Sequence, residues 1–218
     1  MAAGSLVDVA LHARTRIRED ACAVHEAVTR LRAGEIVMVC DDGGSPTTCD
    51  LVCAADRLTM RRTAFLVRHT SGFLQVALRD PVCHRLQIPP VAPGTDRLSS
   101  QQCVAVDAAV GVGTGISAAD RTRTINRLGS PDAIASDFTR PGHVVTVRVA
   151  NGSSQHDTAS LALALVEMSG SNAAVFATLV DSGRHATGLP TRGESVEFAA
   201  FHGLAVVRST QVSRARSA

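Results

Sequence analysis

The chain has 218 residues, 45% of them hydrophobic, which is enough for a packed core and too much for a largely disordered polypeptide. Twenty-two basic against twenty acidic residues leave a formal charge of +2, too balanced for strong attraction to phosphate backbones or anionic lipid. All the basic residues are Arg, Trp and Tyr are absent and there are six Phe, so neither a lysine Schiff base nor a base-stacking platform is available, and no nucleic-acid partner is expected.

Charges at Asp8, Arg14 and Arg16 interrupt the N-terminal apolar stretch, and no segment reaches the ~18 apolar residues of a membrane span. A cytoplasmic protein without a membrane partner is therefore expected. The six Cys lie mostly in apolar runs, where thiols behave as small hydrophobes, and reduced cysteines are expected.

Cys22, Val24, Ala27, Val28 and Leu31 recur at helical spacing before Gly34, which predicts a helix over 21–31. Ile36 to Cys40 reads as a β-branched strand that ends in the turn formers Asp41-Asp42-Gly43-Gly44-Ser45-Pro46. An apolar run follows over 51–55, then a helix over 59–70 and a strand over 72–78. A Pro-rich loop around Pro89 to Gly94 precedes a strand over 103–106. Gly111-Val-Gly-Thr-Gly-Ile-Ser117 is a glycine-rich turn that runs into a Ser-capped helix through Leu128. Residues 138–143 read as a loop, 144–149 as a strand, 151–155 as a polar loop and 159–168 as a helix. A buried-type strand over 173–180, a loop over 182–193, a helix over 194–202 and a short strand over 204–207 complete the pattern, with a frayed tail around Arg214 and Arg216. Strands and helices are intermixed without repeat or clear linker, so one α/β or α+β domain over 1–218 is the economical expectation.

Four landmarks occur in order: the strand opening onto Asp41-Asp42, Arg68-His69-Thr70-Ser71-Gly72, Gly115-Ile-Ser-Ala-Ala-Asp-Arg121 and Arg140-Pro-Gly-His143. Together they resemble the 3,4-dihydroxy-2-butanone 4-phosphate synthase family, lyases of riboflavin biosynthesis that convert ribulose 5-phosphate to a four-carbon ketose phosphate and formate. The resemblance spans about 21–212. It implies a three-layer helix–sheet–helix domain, a homodimer with each site near the subunit interface, and a divalent cation, Mg or Mn, in the site.

The site itself departs from the family pattern. Where the family reads Asp-Asp-x-x-Arg-Glu-x-Glu-Gly-Asp, this chain has Ser45 for the Arg, Pro46 for the metal-binding Glu, Thr48 for the second Glu and Cys49 for the Gly. Asp41, Asp42 and Asp50 remain. The family's Gly-His-Thr-Glu becomes Gln155-His156-Asp157-Thr158, which keeps the His metal ligand, and a late acid–base Glu falls on Thr178. A divalent cation is therefore expected to bind weakly, through His156, and neither nicotinamide nor flavin is expected.

The candidate catalytic residues are Asp41, Asp50, His156, Asp157 and Cys49, carboxylate, imidazole and thiol being groups that move protons or attack carbon near neutral pH. A small anionic ligand is expected on Arg140, Thr114, Ser117, His69 and Ser71, because a glycine-rich turn at a helix start frees backbone N–H groups and Arg supplies a planar fork. Cys49-x-x-x-Cys53 with Cys83-His84 lacks zinc-knuckle spacing, and Gly111-x-Gly113-x-Gly115 lacks the last glycine of a dinucleotide fingerprint. Two classes of function follow: a diverged lyase, dehydratase or isomerase on a small phosphorylated or carboxylated substrate in a specialised biosynthetic pathway, or a non-catalytic member that binds a ligand or assembles with a partner.

Overall fold

The computed structural model describes residues 3–43, 48–92, 100–150, 157–180 and 188–217. Seven strands form one mixed sheet: β1 Val37–Cys40, β2 Cys49–Ala54, β3 Gln75–Arg79, β4 Gln101–Ala108, β5 Phe138–Val149, β6 Ala173–Thr178 and β7 Val206–Arg208. Their order is β4-β5-β3-β6-β2-β1-β7, with β3–β5 and β1–β7 parallel and the other pairs antiparallel. Alternation decides which face each residue supplies. Val37, Val39, Val52 and Phe176 enter one core with α1 (Ala3–Arg32), α5 (Thr158–Met168) and α7 (Ser209–Ser217). Met38, Leu51, Val76 and Val175 enter the other with α2 (Met60–His69), α4 (Ala118–Gly129) and α6 (Arg192–His202). The short α3 (Asp80–Arg85) follows β3 and adds Cys83 to this second core. The expected α+β helix–sheet–helix layering is the observed one.

Helix α5 is apolar all round because it is enclosed by α1, α7 and the sheet; Leu161, Leu163 and Leu165 are almost wholly buried, each contributing about 1.5–3 kcal/mol. Three expectations change. Residues 138–143, read as a loop around Arg-Pro-Gly-His, open β5: Phe138 and Thr139 pair with Ala108 and Asp107 across a β-bulge. The bulge breaks the period-2 signal on which the sequence reading relied. Helix α3 was not anticipated at all, its apolar positions being too few to show a period. The tail is no frayed end, because Arg208, Gln211 and Arg214 all donate to the buried Asp20 carboxylate of α1, and Arg216 donates to Ser160 of α5. That carboxyl is held below the usual Asp range, chiefly by the Gln211 amide and then by the two guanidinium groups.

The expectation of six reduced cysteines is also corrected. Antiparallel pairing of β1 with β2 sets Cys40 directly opposite Cys49, with 4.1 Å between their Cα atoms, and the two are joined as a disulfide. Cys22, Cys53, Cys83 and Cys103 are free. Thiol titration of the denatured, unreduced protein is therefore expected to count four thiols, rising to six after reductant; six without reductant would show that the strands are not cross-linked.

Candidate functional site

One end of the sheet gathers most of the chemistry. Asp107 lies near the end of β4, opposite Thr139 of β5, and its carboxylate is buried. Such a group is costly unless it is hydrogen-bonded. Two bonds from one residue satisfy it: the His143 backbone N–H donates to Oδ1 at 3.0 Å, and His143 Nδ1 lies 2.7 Å from Oδ2. Bonding Nδ1 to the carboxylate fixes the ring and leaves Nε2 facing outward, with the His143 side chain 44% exposed. Two glycines make room. Gly142 passes so close to the Val106–Asp107 backbone that a Cβ would overlap it, and a Cβ on Gly115, at φ +79°, would overlap the Asp107 carboxylate and the His143 ring. Asp107 was missed by sequence reasoning and His143 was read only as part of a landmark. The signal available was the glycine before His143, next to the strand end at Val106-Asp107.

The glycine-rich turn is organised from within. Ser117 caps α4 by accepting the Asp120 N–H at 3.0 Å, and the Asp120 carboxylate reaches back to the N–H groups of Gly113 and Gly115, both at 3.2 Å. Those donors, chiefly Gly113, hold the Asp120 carboxyl below its usual range. The Gly113 and Gly115 N–H groups thus already hold a carboxylate that belongs to the chain, and Thr114 lies exposed between them. Arg140 was expected to complete this pocket. Its guanidinium instead donates to the carbonyls of Ala135, Phe138 and Leu86, pinning the start of β5 to the end of α3.

Toward the other edge lies a second group. Asp50 of β2 is buried and accepts the Thr178 hydroxyl at 2.7 Å from the facing residue of β6. Burial raises its carboxyl to about 6, with the neighbouring Asp41 adding to the rise and the Thr178 hydrogen bond opposing it. Asp41 accepts the Gly43 N–H at 2.9 Å and the Ser209 hydroxyl at 3.1 Å; Asp42 takes the Ser209 and Thr210 hydroxyls at 2.7 and 2.6 Å, tying the loop to the start of α7. Ser71 sits beside this group, its N–H donating to the Thr178 carbonyl at 3.0 Å. Through Gly72, whose carbonyl accepts Arg121 at 3.1 Å, it also meets the start of α4. Asp50 and Asp107 stand on β2 and β4, four strand spacings or about 19 Å apart.

The remaining candidates go elsewhere. Cys49 is bonded to Cys40 and so is no free nucleophile. Asp157 caps α5 by accepting the Ser160 N–H at 3.2 Å and also bonds Ser100, whose neighbour Gln101 pairs with Arg148 at the opposite end of β5 from His143. His69 packs between Phe65, Phe198 and His202. His156, together with Ser45 and Pro46, lies outside the described residues. Among those described, no group of three or more His, Cys, Asp and Glu is placed to hold a metal ion, and Asp41 and Asp42 are turned to hydroxyls. No helix among the described residues is long and apolar enough to cross a membrane.

These features define a three-layer α+β protein with an imidazole–carboxylate pair set against a glycine-rich turn at the end of its sheet. Residues 25–215 match the family model of 3,4-dihydroxy-2-butanone 4-phosphate synthase, and the chain belongs to that family. The riboflavin biosynthesis protein RibBA of Mycolicibacterium gilvum is 46% identical over 131 residues, covering 60% of this chain and 31% of its own. The corresponding protein of Mycobacterium ulcerans is 39% identical over 188 residues, covering 85% and 44%. The chain thus spans less than half the length of these relatives. The Candida albicans synthase structure aligns with a TM-score of 0.80 at 29% identity, over 88% of this chain and 95% of that one. A synthase structure in complex with two magnesium ions gives 0.80 at 30% identity, over 86% and 93%.

Asp50 yields a pH prediction. Its folded value lies above the unfolded one, so the stability it contributes is full below about pH 4 and is lost as pH rises to about 6. Asp50→Asn should match wild type below pH 4 and exceed it above pH 6, by about 3 kcal/mol for a shift of roughly two units. Urea unfolding at a series of pH values checks this; a pH-independent difference would mean that Asp50 titrates normally.

Proposed function

We propose that the protein is a diverged enzyme of its family that performs lyase, dehydratase or isomerase chemistry on a small phosphorylated or carboxylated substrate, with weak or no activity on ribulose 5-phosphate. The observation that carries this reading is the Asp107–His143 pair: a carboxylate holds Nδ1 while Nε2 faces outward, the arrangement a general acid–base group needs. His143 Nε2 would take a proton from substrate carbon or oxygen and return it, and Asp107 would keep the ring in place. Asp50, at about 6, can hold or release a proton near neutral pH.

His143 stands on β5, three strand spacings or about 14 Å from Asp50 on β2. The dimeric reading rests on membership of the family. Low parental activity is supported by the residues that replace the family's carboxylates. Thr178 spends its hydroxyl on Asp50, Pro46 has no ligating atom, and each missing general base typically costs ~10²–10⁴-fold. A ligand-binding role without catalysis is favoured by one observation, the dispersal of Arg140 and Asp157 away from the pair.

The two readings separate by experiment. With ribulose 5-phosphate and magnesium, formate release should stay below a tenth of that of an authentic family enzyme; comparable release would refute the divergence. In D2O, NMR should detect exchange of carbon-bound protons on small phosphosugars, falling about 100-fold or more in His143→Gln. Saturable binding with no exchange in wild type would favour the binding role.

A further inference from the structure

Away from the Asp107–His143 pair, on the face of the sheet that carries α2, a groove of about 790 Å³ opens between the end of α1, α2 and the end of α6. That size lies within the range of small-molecule sites. Ile36, Phe65 and Leu204 supply its apolar surface, and four Arg supply its charge. Arg30 is satisfied, with Glu35 at 2.9 Å and Glu26 at 3.5 Å, and among the described residues Glu35 is the only carboxylate lining the groove. Arg61, Arg62 and Arg68 have no carboxylate partner among the described residues. They share one stripe of α2 with Phe65 and His69, at helical spacings of three, four and seven.

Seven residues separate Arg61 from Arg68, about 10.5 Å along the helix axis, a span along which an extended anion can meet both. Between them the Phe65 ring packs edge-to-face on His202, with centroids 5.0 Å apart and an interplanar angle of 82°. The His69 ring on the same face is held below the usual imidazole range, first by burial and then by His202 and Arg68.

We propose that this groove binds a nucleoside polyphosphate, the phosphates on Arg61, Arg62 and Arg68 and the base against Phe65. Guanidinium forks match phosphate oxygens, and a flat base suits the aromatic wall. A free phosphate would leave the apolar surface uncovered.

The test is calorimetric titration of the full chain with ATP, adenosine and inorganic triphosphate. ATP should bind saturably, and adenosine and triphosphate alone each at least about tenfold more weakly. Arg61→Gln and Arg68→Gln, both at exposed positions that spare the fold, should each weaken ATP about tenfold. His143→Gln should leave ATP binding unchanged, which separates this groove from the acid–base site. Unaltered ATP affinity in both Gln variants, triphosphate binding as tightly as ATP, or no saturation by millimolar ATP would overturn the proposal. So would loss of ATP binding in His143→Gln with both Arg variants unaffected, which would place the nucleotide at the glycine-rich turn.

Discussion

The end of the sheet is organised around one buried carboxylate. Asp107 cannot sit beneath the turn unless donors reach it, and the donors it has, the N–H and ring of His143, arrive only because Gly142 lets β5 press against β4. From there the constraint spreads sideways. Gly115 must adopt a positive φ to clear the pair, its N–H is claimed by Asp120, and Arg121 on the next position ties α4 to Gly72. Ser71, one residue earlier, bonds β6 at Thr178, and Thr178 bonds Asp50. A connected set of hydrogen bonds and steric limits thus runs from β4 to β2.

The opposite edge is held differently. Asp41 and Asp42 turn toward Ser209 and Thr210, so the loop after β1 is anchored by the helix that ends the described chain, and the disulfide closes the loop's neck from the other core. Helix α7 in turn is clamped to α1 through Asp20. The N-terminal helix, the C-terminal helix and the acidic loop form one mechanical unit. An Asp in that loop consequently has two demands on it, and in this structure the capping demand is the one satisfied.

Some of this was legible in the residues and some was not. Buried strands such as β6 and the apolar α5 announce themselves by composition, and Ser117 by its place before a helical period. The motif Arg140-Pro-Gly-His143 was visible, but its meaning was not: reading Arg as an anion ligand assumes a free guanidinium, and only the tertiary fold shows carbonyls waiting at Ala135, Phe138 and Leu86. The Cys40–Cys49 bond was hidden for a related reason, because nine residues of separation say nothing until β1 and β2 are known to pair in that register. Asp107 gave no periodic signal, since it sits at a bulge where alternation fails.

The same logic bears on which parts of this fold tolerate substitution. Asp107, His143 and the glycines around them also hold the β4–β5 bulge and the start of α4 together, so replacing any one of them costs stability as well as any function. The described ends of the loop after β1 are under a looser constraint: the disulfide closes its neck and hydroxyls meet Asp41 and Asp42. Substitution is cheap where the scaffold does not need the side chain and expensive where it does. That asymmetry concentrates the constraint on the imidazole–carboxylate pair, which the scaffold needs whatever chemistry it performs.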